Sequence, residues 1–109
     1  MTTTYKVLGQ AVTTANTLGT VYTVPASTST VCSTISICNT TTGNANVRVA
    51  IQPGNAAIAL KHYIVYDSQL VNNDTLFLTV GATLATTDVI SAYANIANVS
   101  VNVYGSEIT

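Results

Sequence analysis

The chain has 109 residues, only 6% of them Asp, Glu, Lys or Arg, and its three bases and four acids leave a formal net charge of -1. Ordinary soluble domains are about 25% charged, so this surface has little protection against self-association, and other subunits are expected to cover much of it. Scattered Lys6, Arg48 and Lys61 disfavour nucleic acid, which needs clustered cations, and apolar runs such as AAIAL at 56–60 fall far short of the ~20 residues of a membrane helix.

The length suits one domain. Thr, Val, Ile, Ala, Asn and Ser dominate, and β-branched residues favour pleated strands over helices. MTTTYK lacks a basic stretch leading into an apolar one, so no signal peptide is read there and cytosolic synthesis with reduced thiols is expected. Segments 5–12 (YKVLGQAV) and 20–24 (TVYTV) read as strands around the turn TTANTLG, and Pro25 closes the second because it cannot donate to a ladder. The strand expected over 31–39 (VCSTISICN) runs into the loop NTTTGNAN. In 46–52, Val47, Val49 and Ile51 alternate with Arg48, Ala50 and Gln52, the period of a strand with one wet face. After Pro53-Gly54-Asn55, the AAIAL segment reads as a crossing loop or a single helical turn, and 61–70 (KHYIVYDSQL) returns to strand. Leu76, Leu78 and Val80 alternate with Thr75, Phe77 and Thr79; VISAYA follows at 89–94; Val99, Val101 and Val103 form the last inward row.

About eight short strands joined by Gly, Pro, Asn and Asp turns predict an all-β antiparallel sandwich, jelly-roll-like. Alternation identifies strands and not their order, so another Greek key fits equally. Residues 1–17 are read as an N-terminal strand or an extended arm reaching a neighbouring subunit, and 18–109 as the sandwich domain.

Cys32 and Cys38 are separated by an even number, so an unbroken strand puts them on one face with Thr34 and Ser36, roughly 20 Å apart. A disulfide needs Cα atoms about 4.4 to 6.8 Å apart. With one histidine in the chain, no soft-ligand set for zinc assembles around them, and small-residue packing is the expected role. His62 and Asp67 are five apart and fall on opposite strand faces, a poor dyad, so His62 reads as a surface or interface residue. Asp74 and Asp88 sit where a side chain bonds turn amides. No cofactor, metal site or catalytic residue is read from the chain. Asn39, Asn73 and Asn98 head N-x-S/T triplets of the kind expected by chance in so Thr- and Asn-rich a sequence. The six tyrosines are spread over most strands, as rigid amphipathic anchors at interfaces would be. The candidate contact residues are the outward Arg48, Tyr66 and Tyr104, with Tyr5 and Lys6 from the first segment.

The segments TVYTVPASTSTVCSTISICNTTTG, KHYIVYD, NDTLFLTVGATLATTDVISAYA and VYGSEIT, in that order, resemble small all-β virion proteins of tailed bacteriophages. The resemblance covers most of the chain from about Leu18 onward. It implies an accessory structural component with no catalytic residues: a capsid cement or decoration protein or, alternatively, a tail or fibre accessory that binds a host receptor or carbohydrate. It also implies oligomers, often homotrimers, seated on the major capsid protein, and assembly into the virion from the host cytoplasm.

Overall fold

Val99, Val101 and Val103 are at most 2% exposed, so the period-two pattern of the last segment is a strand with one side in a core. The computed structural model describes residues 1–109. The chain forms β1 (Thr3–Val12), β2 (Gly19–Thr23), β3 (Ser29–Asn39), β4 (Ala45–Gln52), β5 (Tyr63–Leu70), β6 (Thr75–Leu84), β7 (Val89–Ala94) and β8 (Val99–Ile108). Two 3-10 turns, Pro53–Asn55 and Leu60–His62, lie between β4 and β5.

The strands make two antiparallel four-stranded sheets, ordered β1-β8-β3-β6 (sheet A) and β2-β7-β4-β5 (sheet B). Only β4 and β5 are neighbours both in sequence and in a sheet; every other connection crosses between the sheets. That order is the jelly roll, a double-sheet fold of two Greek keys. Its core holds 17 buried residues, among them Ile35 and Ile37 of β3, Val47 and Val49 of β4, and Ile90 of β7. Each fully buried Val, Leu or Ile contributes about 1.5–3 kcal/mol relative to exposure.

The first segment is strand rather than arm: β1 pairs with β8 from Thr3 opposite Ile108 to Val12 opposite Ser100. The sandwich therefore begins at Thr3 and not at residue 18. Glycine brings this strand close to the other sheet, since a Cβ at Gly9 would run into the carbonyl oxygen of Val21 in β2.

Sheet A is irregular along one line. Leu8 is an extra residue in β1 between Val7 and Gly9, beside Tyr104 of β8; Ser33 is one in β3 between Cys32 and Thr34, beside Tyr104 and Gly105; and β6 slips at Val80 and Gly81 opposite Ser33. A bulge inserts an unpaired residue and bends the strand, and Gly81, at φ 58°, supplies the left-handed backbone that the bend in β6 requires. The bulge at Ser33 also corrects the expected cysteine face. Cys32 turns into the core, fully buried, while Thr34, Ser36 and Cys38 stay on the outer side. Both thiols are free, and burial pushes that of Cys32 up to about 11.

Sheet B is covered at one end. Ala50 and Ser91 point outward by register, yet are 0% and 2% exposed, because the 53–62 connection folds over them. Ser91 Oγ donates to Gln52 Oε1 (2.5 Å), and Gln52 Nε2 donates to the Ala56 carbonyl (2.9 Å). Asp88 accepts the Gly54 and Ala85 amides at 2.8 and 2.9 Å, the turn role expected of it. His62, expected at the surface or an interface, is buried within the connection, where its Nδ1 accepts the Ala59 amide at 3.1 Å. Asn39 is wholly buried, and its amide donates to the Gly43 and Leu70 carbonyls; its sequon is a structural pin.

Candidate functional site

Alternation along four strands gives sheet A an outer face whose cross-strand rows follow from the register. Tyr5, Ser106, Val31 and Thr83 form one row; Val7, Tyr104, Thr34 and Thr79 the next; then Gln10, Asn102, Ser36 and Phe77; then Val12, Ser100, Cys38 and Thr75. None of these residues is charged. Tyr5, Val12 and Phe77 are 84%, 66% and 69% exposed. The polar groups between them bond one another: Gln10 Nε2 donates to Asn102 Oδ1 at 2.8 Å, and the Tyr104 and Ser36 hydroxyls lie 3.3 Å apart. An uncharged, partly apolar surface of this kind is typical of the centre of a protein interface, where charged residues are depleted.

The opposite outer face, at the end of sheet B that the 53–62 connection leaves open, carries Arg48. Its Nε and Nη2 donate to Asp67 Oδ1 and Oδ2 at 2.6 and 3.2 Å, a two-point clamp that a planar guanidinium fits and an ammonium does not. The guanidinium carbon lies 4.3 Å from the ring centre of Tyr66, 4.4 Å from that of Tyr93 and 6.0 Å from that of Tyr63. These are cation–π distances. Tyr63 and Tyr66 meet edge to face at 4.9 Å, and the Tyr93 hydroxyl donates to Asn16 Oδ1 at 3.1 Å. The Arg48 hydrogen bonds hold the Asp67 carboxyl below its ordinary range, and Asp67 in turn raises the guanidinium. Two of the five donors of Arg48 serve Asp67, and the Arg48 side chain stays 24% exposed among the rings.

The five candidate contacts thus separate. Tyr5 and Tyr104 share the outer face of sheet A, whereas Arg48 and Tyr66 share that of sheet B. Lys6 joins neither, because it leaves β1 on the side opposite Tyr5 and pairs with Glu107 at 3.1 Å. Glu107 also accepts the Tyr22 hydroxyl at 2.6 Å, and that hydroxyl lies 2.8 Å from Thr30 Oγ1. This rim cluster is structural. The Tyr22 hydrogen bond, then Lys6, hold the Glu107 carboxyl low, while burial and Glu107 push Tyr22 up to about 12.

Sequence reasoning missed Tyr63, Tyr93 and Asp67 as companions of Arg48. Tyr63 and Tyr66, three apart, belong on opposite faces of a regular strand. The register break around Ile64 returns them to one face, and Asp67, at φ 51°, turns its carboxylate onto the guanidinium. Tyr93 opposite Arg48 follows only from knowing that β7 is the neighbour of β4.

The surface has one recess, about 70 Å³, lined by residues such as Thr13, Thr17, Gly19, Thr20 and Ala92, with no acid, base or thiol. Small-molecule sites run to about 300–1,000 Å³. No group of three or more His, Cys, Asp or Glu gathers anywhere. Fold and surfaces together define a jelly-roll sandwich with two exposed faces of unlike chemistry. No protein-family model matches the chain, and a search of curated proteins finds no match.

Proposed function

We propose that this is a non-enzymatic structural protein of a bacteriophage virion, a cement or decoration protein that joins the particle in the host cytoplasm and stabilises the head by bridging neighbouring major capsid subunits. The observation that supports this reading is that two exposed groups lie on opposite sides of one sandwich: Tyr5 and Tyr104 on an uncharged face, Arg48 and Tyr66 in a clamped aromatic cluster. A bridge needs two sides, and a jelly roll with a continuous core holds them at a fixed separation. The resemblance to small virion proteins supports the same reading.

The mechanism is mass action. A protein that binds the assembled lattice better than its dissociated subunits lowers the free energy of the assembled state, and many equivalent weak contacts add through avidity. Tyr and Arg suit such contacts, since interface hot spots are enriched in both. The test is the temperature at which heads made with and without the protein rupture. Heads lacking it should rupture at a lower temperature, wild-type protein added back should restore the difference, and Arg48→Ala should restore it poorly. Equal rupture temperatures with and without the protein would sink the proposal.

A further inference from the structure

Of the four edge strands, three carry features that discourage pairing with another chain. β1 has Lys6 and the bulge at Leu8, β2 is five residues long with a register break, and β5 has Asp67 and two register breaks. Charges, bulges and shortness are how sheets blunt their edges. β6 differs. Its ten residues, TLFLTVGATL, contain no charge and no proline, and up to the slip at Val80 it pairs with β3 in unbroken register. It borders only β3, and no backbone hydrogen bond outside the ladders involves any of its residues. Beyond Thr75, whose amide donates to Asp74 Oδ1 at 2.9 Å, the free side of the strand finds no backbone partner within the chain. Phe77 projects from this edge 69% exposed, while Leu76, Leu78 and Val80 on the inner side are only half-buried.

We propose that β6 pairs antiparallel with β6 of a second copy of this chain, about a twofold axis at Phe77, joining two A sheets into one continuous sheet. The occupant follows from the self-complementarity of the strand. With the axis at Phe77, the rings of the two Phe77 residues meet on the outer face, Thr75 faces Thr79 of the other copy, and Leu76 faces Leu78 on the inner side. Aromatic–aromatic and Thr–Thr pairs are among the cross-strand pairs that stabilise sheets, and no like charges are opposed. An interface of this symmetry uses one patch on both copies and closes at two, whereas the virion resemblance implies trimers. The inference does not depend on the particle reading, because pairing in solution would stand even if no shell were bound.

Sedimentation equilibrium of the wild-type chain should give twice the 11.3 kDa of one chain. Phe77→Lys, which sets two ammonium groups against each other, should weaken dimerisation at least tenfold, whereas Tyr5→Lys, at an edge strand of the same face, should leave it unchanged. Unaltered circular dichroism in Phe77→Lys shows that the fold is kept. In a Cys38→Ser background, Phe77→Cys should form a disulfide-linked dimer under mild oxidation, and Thr79→Cys alone should not, since it faces Thr75. A wild-type monomer, a trimer, a dimer indifferent to Phe77→Lys, or cross-linking through Thr79→Cys in place of Phe77→Cys would each overturn the proposal.

Discussion

The two outer faces of this sandwich are written in the same alternating code and end in different environments. On sheet A, outward residues such as Val12 and Phe77 are two-thirds exposed; on sheet B, outward Ala50 and Ser91 are as buried as the core. Alternation reports which side of its own strand a residue leaves, and the connections decide whether that side meets water. The 53–62 connection covers one end of sheet B and leaves Arg48 with its tyrosines at the other, whereas nothing in the chain covers the outer face of sheet A.

The largest expected effect attacks that contrast directly. Ala50→Lys forces an unpaired charge under the 53–62 connection and should cost about 3 kcal/mol or more, while Val12→Lys on the bare face should stay within about 0.5 kcal/mol. Urea denaturation midpoints measure both, and equal losses would erase the distinction between the faces. Next comes Gly9→Ala, whose Cβ would meet the Val21 carbonyl; separating β1 from β2 should cost about 1–3 kcal/mol, read from the same midpoints.

A smaller effect concerns the rim joining β1, β2 and β8. Because the folded protein holds Glu107 low, its contribution to stability is present above the ordinary glutamate value of about 4.3 and is lost as pH falls through the folded value. Glu107→Gln should be less stable than wild type at neutral pH, and the difference should shrink as the solution is acidified. Tyr22 works in the other direction: held protonated up to about 12, it should let stability decline as pH rises from about 10. Stability curves against pH in wild type and Glu107→Gln separate the two ends. A small change is also expected in Arg48→Lys, where an exposed pair is lost and the urea midpoint should hardly move. Because lysine cannot reproduce the clamp, the same substitution should weaken docking through the sheet B face. Docking that survives it would assign the contact to sheet A alone.

Much of the fold was legible because β8, β4 and the first half of β6 keep an unbroken period of two, so Val99, Val101, Val103, Val47, Val49, Leu76 and Leu78 point where alternation sends them. The jelly-roll order was not, since strand order depends on which connections cross between sheets and no residue encodes that locally. The strand side chains that alternation misplaces sit at breaks in the period. The bulge at Ser33 parts Cys32 from Cys38, and the break around Ile64 brings Tyr63 and Tyr66 together. Arg48 was visible as an outward cation, but its cage was not, because Tyr93 and Asp67 reach it from two different neighbouring strands. Nothing in LKHYIV signals that the imidazole of His62, expected at the surface or an interface, accepts the Ala59 amide within a covering turn.

Counting the copies of this chain per particle and mapping their positions tests shell bridging most directly. Quantitative mass spectrometry of purified virions, with labelled antibody located by electron microscopy, should find copies in fixed ratio to the major capsid protein and spread over the head. A few copies confined to the tail would contradict the account.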